Sequence, residues 1–226
     1  MKAKLLKKLE LTILFDDGRS FPCSFDPLRG RFNYRSDRLS MGHNVSEMLR
    51  LFDIDGEAVI LTYIFDGDYE PRYFRLPFGE TLTIEDHIKV YIPQFETPLQ
   101  HVCLVLSSVA EETNLDEGSL FLHVRESAEG PGYIKGEIER DIPLKEGTSF
   151  STELLREKAE NVLIKKVEGL SCVLEIEGRE FPLDPYGIYH DSKQGGSASR
   201  YDYETSEWYF SIRMNIPGVV QLAKRK

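Results

Sequence analysis

The sequence predicts a mainly β fold with two short helices, organised as open, β-barrel-like units. Three observations point there. Apolar residues alternate with polar ones over short runs rich in β-branched and aromatic side chains, Gly-containing turns separate those runs at hairpin spacing, and helical periodicity is confined to two stretches.

The elements follow in chain order. Residues 9–15 (LELTILF), the turn Asp16-Asp17-Gly18 and residues 19–25 (RSFPCSF) read as a hairpin, because Asp-Gly readily supplies the positive φ such a turn demands. Residues 57–65, the turn Asp66-Gly67-Asp68 and residues 69–76 repeat the arrangement. Further strands are expected at 87–92, 100–109, 119–126, 171–177, 179–183 and 207–216. One helix is expected over 44–54, with Val45, Met48, Leu49 and Phe52 on one side behind the cap residue Asn44. The other is expected over 151–167, capped by Ser151, with Leu154, Leu155, Val162 and Leu163 together.

Residues 127–137 form the richest Gly/Pro stretch and divide the chain into a first β unit, 1–126, and a second, 138–226. Residues 191–207 hold almost nothing apolar before Tyr201 and read as a mobile loop. Gly18-Arg19-x-Phe21-Pro22 recurs as Gly178-Arg179-x-Phe181-Pro182, and an Asp-Pro follows each copy, at 26–27 and 184–185. Duplication of a β unit is one reading of this repeat, chance recurrence the other.

Composition narrows the function classes. With 28 basic and 38 acidic residues, a net charge of −10, the chain as a whole repels DNA and anionic membranes, so any polyanion contact must be local. Its apolar runs, such as 58–64 and 102–106, fall well short of the roughly 20 residues a spanning helix needs. Lys7, Lys8 and Glu10 interrupt what would otherwise be a signal-peptide core, which points to the cytoplasm or nucleus and away from a membrane. Cys23, Cys103 and Cys172 are odd in number and widely spaced, which argues against both a disulfide framework and a zinc site. No nucleophile elbow, phosphate loop or calcium hand is present, and no acid–base pair stands out, so a non-enzyme without cofactor or metal is expected.

One charge feature breaks this pattern. Between residues 28 and 38 stand Arg29, Arg31, Arg35 and Arg38 against the single Asp37, with Phe32 and Tyr34 interleaved. Guanidinium forks suit phosphate oxygens and guanine edges, so these four arginines are the candidate nucleic-acid contacts. Pairing with Asp26, Asp53 and Glu57 is the alternative.

Residues 11–75, read as strand, DDG turn, strand, basic loop (DPLRGRFNYRSDR), short helix, Asp55-Gly56 turn and two more strands, resemble the plant-type B3 DNA-binding domain. A diverged second copy is a weaker likeness from about Ile142 to Tyr189. The resemblance implies a small open β-barrel that grips duplex DNA in the major groove, with Arg29, Arg31, Arg35 and Arg38 as its contacts and transcription regulation as its role. Gly42-His43 stands where the family carries Gly-Trp, and the ten residues before the match are too few for its opening strands. Two other readings stay open: an acidic β-rich protein–protein interaction module, and a glycan- or ligand-binding β domain using Trp208, Tyr201, Tyr203 and Tyr209.

Overall fold

The computed structural model of the chain describes residues 1–34, 40–41, 48–65, 67–92, 95–116, 120–130, 133–155, 158–198 and 203–223. They fall into two compact units. One comprises residues 2–113 with 218–222; the other comprises residue 1, 114–217 and 223–226.

The first unit is a nine-stranded, nearly closed, barrel-like sheet. Its strands are β1 (Lys2–Phe15), β2 (Ser20–Asp26), β3 (Arg31–Tyr34), β4 (Ser40–Met41), β5 (Leu49–Ile54), β6 (Ala58–Tyr63), β7 (Arg72–Pro77), β8 (Thr81–Ile92) and β9 (Phe95–Asn114), in the spatial order β4-β8-β9-β1-β2-β3-β5-β6-β7. Alternation decides which side is buried: Leu9, Leu11, Ile13 and Phe15 of β1 face the core, as do Leu49 and Leu51 of β5 and Leu61 and Tyr63 of β6. Both expected hairpins form. Phe15 and Arg19 close the first over Asp16-Asp17-Gly18, with Gly18 at φ 84°, and β6 pairs antiparallel with β7 in the second.

The second unit holds β10 (Phe121–Glu129), β11 (Gly136–Pro143), β12 (Ser149–Ser151), β13 (Asn161–Glu168), β14 (Ser171–Ile176), β15 (Arg179–Leu183), β16 (Gly187–Ala198) and β17 (Tyr203–Met214); a two-residue strand, β18 (Leu222–Ala223), is the last among the described residues. One sheet runs β11-β10-β17-β16 and the other β12-β13-β14-β15. Trp208, Phe210 and Ile212 of β17 are buried, and the Tyr189 ring meets Phe181 edge-on at 5.0 Å, joining the two sheets. Of residues 127–137, Ser127 and Ala128 on β10 pair with Glu137 and Gly136 on β11, while 131 and 132 lie outside the described residues.

The described residues of the two expected helices are strand at Leu49–Ile54, Ser151 and from Asn161 on, with irregular chain at 152–154 and 158–160. Residues 42–47 lie outside the described residues, but Leu49–Ile54 are β5, held by pairing of Leu49 with Tyr63 and Leu51 with Leu61. A bulge at Phe52 shifts the period-2 pattern enough to bring Ile54 back to the core side, which is how the run imitates helical spacing. In 151–167, Ser151 ends β12 and Asn161–Glu168 are β13, with Val162 and Ile164 buried and Lys165 and Lys166 outward. Residues 191–198, expected in a mobile loop, instead continue β16, and the ladder from Asp191–Phe210 to Ala198–Tyr203 satisfies their backbone groups without apolar side chains.

The repeated pentapeptide occupies equivalent places, one in each unit. Gly18 and Gly178 both take positive φ at a hairpin turn, and Phe21 and Phe181 follow on the outgoing strands, opposite Ile13 and Leu174. The two turns differ in length: Glu177-Gly178 is a two-residue loop with φ of 50° and 76°. Each Asp-Pro then caps its strand, Asp26 Oδ1 accepting from the Leu28 and Arg29 amides and Asp184 Oδ1 from the Tyr186 amide.

Candidate nucleic-acid interface

The outward side of β2, β3, β5, β6 and β7 carries one continuous row. Cα pairing sets Asp26 opposite Arg31, Arg31 opposite Arg50, Arg50 opposite Thr62 and Thr62 opposite Tyr73. Residues paired directly across antiparallel strands project to the same side, about 5 Å apart. Two arginines therefore stand side by side on the barrel wall.

Gly30 makes that juxtaposition possible. Its φ is 62°, its carbonyl accepts the Leu51 amide at 2.9 Å, and a Cβ at this position would lie 2.9 Å from the Leu51 carbonyl oxygen and 3.0 Å from a Leu222 methyl. Only glycine lets the chain turn out of the Asp26–Arg29 turn and enter β3 this close to β5. The short spacing in Arg29-Gly30-Arg31 thus has a structural cause, since Gly30 sets the register that brings Arg31 against Arg50.

The Arg31 and Arg50 Nε atoms are both buried, and neither has a hydrogen-bond partner among the described residues. Among the described residues no carboxylate forms an ion pair with either arginine. Asp26 Oδ1 is taken by two backbone amides, and its Oδ2 lies 3.9 Å from Arg29 Nε. Asp55 binds Arg75 at 3.2 Å and the Glu57 and Ala58 amides; burial, the largest single influence, raises its carboxyl, but those amides and Arg75 together outweigh it and hold the group below the usual range. Glu57 also faces Arg75, at 4.0 Å. Asp53, half-buried on β5 opposite Ile60, forms no ion pair among the described residues.

Of the four arginines singled out in the sequence, Arg29 is an exposed turn residue and Arg31 lies on the wall, while Arg35 and Arg38 lie outside the described residues. Arg50 is the residue sequence reasoning missed, because it fell inside an expected helix. The Leu49-x-Leu51 alternation was the signal that would have placed it outward on a strand.

Exposed rings border the arginines. Phe52, pushed out by the β5 bulge, and Tyr73 are 60% and 63% exposed and meet edge-on at 5.6 Å. Tyr69, in the β6–β7 turn, is almost fully exposed. The aromatic cluster considered for glycans differs in kind, since Trp208 is fully buried and serves as core.

Cys172 is buried and Cys23 and Cys103 half-buried, and desolvation pushes the Cys23 thiol up to about 11 and the Cys172 thiol up to about 12, which leaves both protonated and unreactive near neutrality. Among the described residues no group of three or more His, Cys, Asp and Glu is arranged to hold a metal, and no helix is long and apolar enough to cross a membrane. Compared with known proteins, the chain matches no family model, no curated protein and no solved structure.

Proposed function

We propose that this chain is a non-enzymatic DNA-binding protein whose basic wall, formed by Arg29, Arg31 and Arg50 and continued in sequence by Arg35 and Arg38, takes phosphate oxygens. The observation that carries the reading is the Arg31–Arg50 pair, two like charges directly opposite each other without an ion-pair partner among the described residues. Like charges at opposed positions destabilise a sheet, and each orphaned donor costs on the order of 1–3 kcal/mol. An oxyanion from outside the chain offsets the like-charge cost, because one phosphate can accept from two guanidinium groups.

The acidic remainder of the chain fits this reading. It confines attraction to the wall and weakens adhesion to nucleic acid elsewhere. The B3 likeness supports a related picture, a barrel contacting DNA through basic loops and strands, with duplex as the expected ligand and the nucleus as the matching compartment. Fluorescence anisotropy of a labelled DNA oligonucleotide at rising salt tests the proposal. Affinity should fall with salt, and the Arg31→Gln/Arg50→Gln variant should bind at least tenfold more weakly with a shallower salt slope. Equal affinity in the variant would overturn it.

A further inference from the structure

We infer that the ligand of this wall is single-stranded nucleic acid, with bases stacking on Phe52 and Tyr73 while phosphates engage Arg31 and Arg50; the inference rests on the nucleic-acid reading above. Cross-strand pairing places Arg31, Arg50, Thr62 and Tyr73 on four neighbouring strands, so the row spans ~14 Å at about 4.8 Å per strand. Phe52 joins Tyr73 through its ring, which sets the exposed aromatic pair at one end of the row and the arginine pair at the other.

This order matches the chemistry of an unpaired strand. In a duplex the base faces are buried in the stack and a protein meets phosphates and base edges only. An unpaired strand offers flat faces beside its phosphates, and binding surfaces for it combine a basic track with aromatic platforms. Two large rings left 60% and 63% exposed, beside guanidinium groups without carboxylate partners among the described residues, supply both parts. Thr62, half-buried between them, adds a hydroxyl within the row.

Duplex recognition by the arginines alone would leave Phe52 and Tyr73 without a role. Their exposure would then matter little, and their removal would change nothing. That difference gives the test.

A fluorescein-labelled oligo-dT strand, and the duplex formed by annealing it to oligo-dA, are titrated by anisotropy with wild-type protein, with Phe52→Ala/Tyr73→Ala and with Arg31→Gln/Arg50→Gln. Thermal melting checks that each variant is folded. The single strand is expected to bind more tightly than the duplex, the aromatic variant to lose about tenfold or more on the single strand with little change on the duplex, and the arginine variant to lose binding to both. Duplex preference, or single-strand affinity unchanged in the aromatic variant while the arginine variant fails, would overturn the single-strand inference and leave the DNA-binding reading standing. Absence of salt-sensitive binding to either probe by the wild-type protein would overturn both.

Discussion

Arg140 and Arg31 each lie on a strand of a β unit, and the two differ in what surrounds the guanidinium. Arg140, on β11, reaches Glu126 at 3.0 Å, the Ser151 carbonyl and Glu153, and Glu126 in turn accepts the Glu153 and Leu154 amides at 2.8 and 3.1 Å. Glu126 is fully buried, yet both of its oxygens are engaged. Arg31 and Arg50 share with Arg140 a buried Nε that has no partner among the described residues, but they lack the carboxylates that Glu126 and Glu153 offer the terminal nitrogens of Arg140. An arginine met by carboxylates from its own unit is a structural device, whereas two arginines set opposite each other without a carboxylate among the described residues leave their charge for a partner outside the chain.

The largest effect is expected where the network is complete. Glu126→Ala strips Arg140 of its buried partner and orphans two backbone amides, so urea denaturation should report a loss of about 3–5 kcal/mol. A change under 1 kcal/mol would show that Glu153 and Ser151 suffice to hold Arg140. Next in size is Gly30→Ala, which forces a left-handed residue to carry a methyl 2.9 Å from the Leu51 carbonyl. It should cost about 2 kcal/mol and, by loosening β3 against β5, weaken oligonucleotide binding as well.

The contrast between the two regions also explains what could be read in advance. Turn chemistry is local, so the hairpins at Gly18 and Gly178 were legible from the residues themselves. Strand pairing is not local. Residues 191–198 look like a loop because their side chains are polar, but the β16–β17 ladder supplies the hydrogen bonds that order them. The run 151–167 looks helical because lysines and glutamates alternate with leucines, whereas β13 is fixed by Val162 opposite Ile176 and Ile164 opposite Leu174, partners ten or more residues away. The arginine stretch was legible as charge, while its neighbour Arg50 became visible only through register.

Removing the arginine pair should produce a smaller stability change of opposite sign. With no acceptor to lose among the described residues, Arg31→Gln/Arg50→Gln relieves a like-charge pair and leaves the urea midpoint unchanged or raises stability by up to about 1 kcal/mol, while oligonucleotide affinity falls. Stabilisation together with lost binding is the signature of residues kept for a ligand. Destabilisation beyond about 2 kcal/mol would instead mean that the arginines tie the barrel together.

The smallest effect is a slope with pH. Complete burial, reinforced by the charge of Glu160, lifts the Glu126 carboxyl above its usual 4.5, while the Leu154 amide and Arg140 pull the other way. Below pH 4.5 folded and unfolded chains are both protonated at this residue, and its full contribution to stability is present. Above 4.5 the unfolded chain releases the proton first, so this contribution falls as pH rises through the higher folded value. Urea midpoints measured from pH 4.5 upward should therefore decline in wild type relative to Glu126→Gln, which carries no such proton. The Arg31→Gln/Arg50→Gln variant should keep the wild-type slope, because neither arginine touches Glu126; parallel profiles for wild type and Glu126→Gln would mean that Arg140 and the two amides hold the carboxylate ionised at no net cost.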